Sequence, residues 1–135
     1  MTASNSKPAA YRVTDPALFN QTWAEAFNSG DVDNVLALYQ SDAILAVGDH
    51  VASGHGEIRE LLSGMLAAPG KIAGRNNFFH VLDDVALLRA DWKLYGDDGS
   101  VMEQGSTAEI IRRQPDGTWL YAVDHASGAS MPAVL

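Results

Sequence analysis

An aspartate and a histidine interrupt an otherwise apolar run near the C-terminus, WLYAVDHAS at 119–127, where Asp124 and His125 stand side by side. A carboxylate or imidazole taken out of water is costly unless it is paired, so groups in such a run are either partnered or put to chemical use. A buried carboxyl with a shifted pKa can move protons, and an imidazole titrates near neutrality. Glu109, in AEIIRR at 108–113, is the third candidate. Two carboxyls in one apolar site do not both ionise. One keeps its proton and serves as a general acid, and its ionised neighbour serves as a base. Such a pair suits proton transfer beside a carbonyl, dehydration or hydrolytic ring opening. The structural alternative is that an acid pairs with Arg112 or Arg113, or reaches solvent at a rim.

Composition limits what these residues can serve. The 135-residue chain is 47% hydrophobic and 19% charged, enough for one self-sufficient core. No apolar run approaches the roughly 20 residues of a membrane span. The absence of cysteine excludes disulfides and thiolate chemistry. A formal charge of −8 argues against nucleic acid or an anionic membrane as partner, since either needs a basic surface. The opening MTASNSKPAA lacks the apolar centre of a secretory signal. It reads as a flexible arm (1–10) before a single domain (11–130) and a short tail (131–135), with a cytoplasmic location expected.

The elements that must position the acids follow in order. Asp15 and Pro16 predict a helix start, Phe19, Trp23 and Phe27 recur every four residues, and Gly30 stops the helix. Asp31 caps a second helix whose apolar face is Val32, Val35, Leu36 and Tyr39. AILAV at 43–47 predicts a short strand, GDH at 48–50 a turn into another, and 56–68 a third helix ended by Pro69-Gly70. Asp42 reads as a cap or turn residue. Four long strands follow, at 72–82, 85–95, 100–113 and 118–126. Helices followed by a meander predict an α+β fold, its helices lying in the concavity of one curved antiparallel sheet.

Alternation assigns faces. Ala86, Leu88, Ala90, Trp92 and Leu94 form an inner apolar face, with Arg89, Asp91 and Lys93 outside. A four-residue hairpin loop pairs Arg113 with Thr118, Glu109 with Ala122 and Thr107 with Asp124. Unless a bulge intervenes, Glu109, Ala122 and Asp124 then face inward, and Trp119, Tyr121 and His125 face outward as a stripe suited to a dimer contact.

The segments NSGDVDNVLALYQSDA, SGHGEIRELL and RRQPDGTWLYAVDHASG together resemble the nuclear transport factor 2-like superfamily, and within it the SnoaL-like, ketosteroid-isomerase-related proteins. The resemblance spans about residues 12–130. It implies a cone-shaped, cystatin-like half-barrel around a mostly apolar pocket, often dimeric through the outer sheet face. The superfamily mixes isomerases, cyclases, dehydratases, epoxide hydrolases and non-catalytic binders, so fold does not assign activity. A ketosteroid isomerase carries a tyrosine, a base aspartate and a protonated aspartate. The resemblance puts Trp23, Val47 and Glu109 at those positions, so that isomerase's known route is not expected.

The expected site therefore has Asp124, Glu109 and His125 as catalytic candidates. Trp23, Tyr39, Val47, Phe78, Trp92 and Ala122 are expected to line the substrate pocket. No cofactor is expected. No H-x-H or H-x-x-x-H spacing supports a metal, and His80 reads as a strand residue, His50 and His55 as loop residues near the entrance. The partner expected is a small apolar or carbonyl-containing ligand. Two readings of different class result: a cofactor-free acid/base enzyme, or a protein that binds a small ligand or assembles as a dimer.

Overall fold

A computed structural model describes residues 11–135, so the arm expected at 1–10 lies outside the described residues. The Asp15 carboxylate accepts the Ala17 N–H at 3.0 Å and opens a single 3-10 turn, Pro16–Leu18, that continues into α1 (Phe19–Asn28). Gly30 turns the chain with φ of 79°, and Asp31 accepts the Asp33 N–H at 2.9 Å to start α2 (Val32–Leu36). The second helix is shorter than its apolar spacing suggests. Tyr39 is not its last residue but the first of β1 (Tyr39–Val47), because the Leu38 carbonyl accepts the Tyr121 N–H at 2.8 Å and draws the chain into the sheet. Asp42 accordingly lies within a strand, not before one.

A tight turn leads into β2 (His50–Ser53) and then α3 (Gly54–Ala67), whose Glu57 reaches back to the Ser53 N–H at 3.0 Å. Ile58 and Leu62 of α3 are buried against the sheet, and Leu61, Met65 and Leu66 pack around them. The remaining strands are β3 (Lys71–Leu82), β4 (Val85–Tyr95), β5 (Val101–Ser106), β6 (Ala108–Arg113) and β7 (Trp119–His125). The expected strand 100–113 is thus two, divided at Thr107. No helix among the described residues is long and apolar enough to cross a membrane.

The strands form one curved sheet in the order β2-β1-β7-β6-β4-β3, with β5 pairing β4 alongside β6. Every pairing is antiparallel except β1 with β7, which run parallel because the last strand inserts beside the first one after the helices. Bulges bend the sheet and reset which side chains face inward. In β3 the register shifts between Asn76 and Phe78, so Asn76 opposes Ala90 on the inner face while Phe78 opposes Arg89 on the outer face. Phe78, expected in the pocket, instead stacks on His80 with ring centroids 5.2 Å apart.

A second shift, between Ile110 and Ile111 of β6, makes Ala122 an extra residue: Ile111 pairs with Tyr121 and Ile110 with Val123. Trp119 and Tyr121, expected outside, are therefore buried in the core. Ala122, expected in the pocket, leaves the inner face. The hairpin itself closes with Arg113 opposite Trp119, not Thr118, one residue on from the expected register, and the bulge adds a second residue, so Glu109 pairs directly with Asp124 instead of Ala122. The outer face carries a row in register across four strands: Ile44, Val123, Ile110 and Leu87. Ile44, Ile110 and Leu87 of that row are exposed.

Candidate functional site

Between α1, the end of α3 and the inner sheet face lies a cavity of about 220 Å³. Trp23 and Phe27 of α1, stacked at 5.2 Å, form one wall, Val47 and Met65 close a second, and Trp92 of β4 stands opposite. The base of the cavity is polar. Asn20, Thr107, Glu109, Tyr121 and Asp124 all border it, and of these Glu109 and Asp124 keep only 2% and 5% of their surface exposed. Residues directly opposite on antiparallel strands have Cβ atoms about 4.5–5.5 Å apart, so the two acids are neighbours.

The hydrogen bonds around them fix which acid holds a proton. Asn76 Nδ2 lies 2.9 Å from the Pro16 carbonyl and 3.3 Å from that of Ala17, and carbonyls only accept. Asn76 Oδ1 must then accept, and it does so from Asn20 Nδ2 at 2.7 Å. The other Asn20 hydrogen goes to Glu109 Oε1 at 2.7 Å, which leaves Asn20 Oδ1 as acceptor for the Tyr121 hydroxyl. That hydroxyl has one hydrogen, and it is now committed. Tyr121 Oη also lies 3.0 Å from Glu109 Oε2, a contact that needs a hydrogen, and that hydrogen has to come from Glu109. The chain of amides, anchored on two backbone carbonyls, therefore holds Glu109 as the neutral acid.

A second relay treats Asp124 in the opposite way. Indole N–H groups only donate, so Trp23 Nε1 gives its hydrogen to Tyr39 Oη at 3.0 Å, and Tyr39 in turn donates to Asp124 Oδ2 at 2.6 Å. Hydrogen bonds to the charged form favour it, so Asp124 is the ionised member. Burial and the neighbouring charges act in the same sense. Burial, and next the Asp124 charge, push the Glu109 carboxyl well above its ordinary range. Burial also raises Asp124, but the hydrogen bond from Tyr39 opposes it. Burial and the neighbouring acids raise both Tyr39 and Tyr121, which stay protonated.

Of the residues expected at the site, the fold brings Glu109, Asp124, Trp23, Val47 and Trp92 to the cavity. Tyr39 sits behind Asp124 as its hydrogen-bond donor. Phe78 and Ala122 do not reach the cavity. Neither does His125, whose Nδ1 accepts the Ser127 N–H at 3.3 Å on the far side of β7. His55 Nε2 is 2.7 Å from the Tyr39 carbonyl and ties α3 to β1; His50 and His80 are exposed. Among the described residues no three His, Asp or Glu side chains cluster as a metal site would require. Sequence reasoning passed over Asn20, Asn76, Thr107 and Tyr121. Asn20 had a legible signal: it lies on the same helical stripe as Trp23 and Phe27, a polar residue where burial is expected. The role of Tyr121 depends on the bulge and carried none.

A curved sheet closing on three helices around buried acids defines the cystatin-like α+β class. The sequence profile of the SnoaL-like domain family matches residues 20–122, and the chain belongs to that family, within the nuclear transport factor 2-like superfamily. Solved structures agree in fold. A protein of unknown function with a cystatin-like fold from Nostoc punctiforme superposes with a TM-score of 0.73 at 18% identity, covering 84% of this chain and 89% of that one. A protein of the nuclear transport factor 2-like family from Streptomyces avermitilis, provisionally named a dehydratase, gives 0.69 at 22%, covering 87% and 93%. A ketosteroid isomerase-like protein from Erwinia carotovora atroseptica gives 0.61 at 23%, covering 78% and 86%. No curated protein matches the chain.

Proposed function

We propose that this protein is a cofactor-independent acid/base catalyst for a small, neutral, largely apolar compound carrying a carbonyl or ring oxygen. Asp124 is the base and Glu109 the neutral acid. The observation that carries this reading is the direct pairing of Glu109 with Asp124 across β6 and β7 at one cavity, with separate hydrogen-bond relays favouring opposite protonation states. Proton removal beside a carbonyl needs a charged carboxylate in a site that excludes water. Returning that proton elsewhere on the substrate needs an acid within reach. The names of two structural neighbours, dehydratase and ketosteroid isomerase-like, lie within the same chemistry. The ketosteroid route itself is set aside because Val47 stands where it needs a base.

The lining also narrows the ligand. No Lys, Arg or His borders the cavity among the described residues, so a carboxylate or phosphate would meet the Asp124 charge uncompensated. A volume of about 220 Å³ falls below the roughly 300–1,000 Å³ of drug-sized sites, which favours a compact one- or two-ring compound. The test is hydrogen–deuterium exchange beside the carbonyl of a panel of cyclic ketones, followed by NMR. Asp124→Asn is expected to slow exchange at least ~10²-fold and Glu109→Gln to slow product formation while sparing the fold. Exchange that is enzyme-independent, or equal in both variants and the wild type, would leave ligand binding as the function of the cavity. The outer-face row Ile44, Val123, Ile110 and Leu87 supports a homodimer joined through that face.

A further inference from the structure

Among the described residues, every polar hydrogen at the cavity but one has an acceptor within the protein. Both Asn20 amide hydrogens, the Trp23 indole, the Tyr121 hydroxyl and the Glu109 proton are committed as described above, and the Trp92 indole donates to the Ala126 carbonyl at 2.7 Å. The exception is Thr107. It sits at the break between β5 and β6, where its N–H donates to the Ala90 carbonyl at 2.9 Å and its Oγ1 accepts the Ala90 N–H at 2.8 Å. The side chain thereby replaces a backbone carbonyl in the pairing with β4, which fixes the hydroxyl in place. Thr107 retains 6% of its surface and borders the cavity, yet its hydroxyl hydrogen has no acceptor among the described residues. A buried donor left without a partner is destabilising, so a position of this kind is kept where something else supplies the acceptor.

We infer that Thr107 is the oxygen anchor of the ligand: its hydroxyl donates to the carbonyl oxygen of a neutral ketone or aldehyde held in the cavity. This rests on the acid/base reading for the choice of ligand class and adds to it the group that orients the carbonyl relative to Asp124. Of the cavity's polar side chains, Thr107 is the one that can donate without breaking a bond the protein already makes. A ligand with no acceptor oxygen would leave it unsatisfied, so the site discriminates a ketone from a hydrocarbon of the same shape.

The test uses 2-tetralone and tetralin, which differ in the carbonyl, with binding followed by the fluorescence of Trp23 and Trp92 and the ketone's carbonyl stretch followed by infrared difference spectroscopy. In the wild type the carbonyl stretch is expected to move to lower frequency on binding. Thr107→Val is expected to weaken 2-tetralone by about tenfold, return the stretch to its unbonded position and leave tetralin unchanged. Thr107→Ser keeps the hydroxyl and is expected to stay within about threefold of wild type. Thr107→Val also removes the acceptor for the Ala90 N–H. If it fails to fold, the wild-type spectrum and the Ser variant carry the test. An unshifted carbonyl in the wild type, no binding of 2-tetralone at all, or equal losses in the Ser and Val variants would overturn the inference. Deuterium exchange of 2-tetralone in wild type and Asp124→Asn reads the acid/base proposal separately. Thr107-dependent binding without exchange removes that proposal alone, and exchange with Thr107-independent binding removes the anchor alone.

Discussion

Glu109 and Asp124 have the same functional group, a shared cavity and nearly equal burial, and the difference between them comes from what each is hydrogen-bonded to. Glu109 meets a hydroxyl whose hydrogen is already given away, and Asp124 meets one whose hydrogen is free to be given. The pH dependence of stability follows. The folded-state pKa of Glu109 lies well above its ordinary 4.5, so the folded chain retains a proton that the unfolded chain releases. Its contribution is complete below the unfolded value and is lost as the pH rises through the folded value. Asp124, also raised, acts with the same sign. The wild type should therefore melt progressively lower as the buffer goes from mildly acidic to alkaline. Glu109→Gln, which keeps a donor and an acceptor in place, should flatten that slope. Parallel slopes for the two proteins would show that Glu109 is not the group being titrated. Asp124→Asn should hold or raise the melting temperature at pH 8, because it removes a buried charge, while abolishing exchange activity.

The relays depend on how the elements are joined. Asn76 reaches the carbonyls of the 3-10 turn from a bulged position on β3, and through Asn20 that link sets the state of an acid on β6. Asn76→Ala would free the Asn20 amide to rotate and leave its hydrogen unsatisfied. A loss of about 1–3 kcal/mol in urea unfolding is expected, together with a weaker pH dependence of melting. Trp92 is positioned by a different device. Its strand partner Gly105 lies so close that an added Cβ would stand 3.0 Å from the indole Cζ2. Gly105→Ala should tilt the indole away from the Ala126 carbonyl, altering tryptophan emission and weakening 2-tetralone binding several-fold, with a cost to stability of about 1–3 kcal/mol. Unchanged emission and affinity would mean that β5 moves instead.

At the scale of the whole molecule, helices cover the inner sheet face and the described residues leave the outer one open. The row Ile44, Val123, Ile110 and Leu87 crosses four strands in register, an apolar stripe of the kind soluble monomers rarely leave exposed. If two copies meet there, Leu87→Lys combined with Ile110→Lys should convert a dimer to a monomer in analytical ultracentrifugation, with the cavity residues untouched. A wild type that sediments as a monomer at tens of micromolar would dispose of the dimer. The long outer stripe first expected, built from Trp119, Tyr121 and His125, does not exist as such: the two aromatics are core residues.

What was legible in the sequence is what local chemistry and periodicity encode. The caps at Asp15 and Asp31, the third helix, the turn at Asp83-Asp84 and the clean alternation of β4 are decided by neighbours along the chain, and so was the family, whose motifs are local strings. The two acids were also legible, because a charge in an apolar run stands out without knowledge of its partner. The tertiary structure decided everything that depends on register. A bulge shifts a strand by one residue and exchanges its faces, and no composition signal marks Ala122 or Asn77 as the extra residue. A hairpin that closes one residue later than expected sets Tyr121 opposite the buried Ile111, and the extra Ala122 then brings Asp124 directly opposite Glu109. The protonation states were further still from the sequence. They follow from a chain of donors and acceptors that begins at two carbonyls in the first turn, Pro16 and Ala17, and ends about ninety positions away at Glu109. Only the folded chain brings those groups within hydrogen-bonding distance.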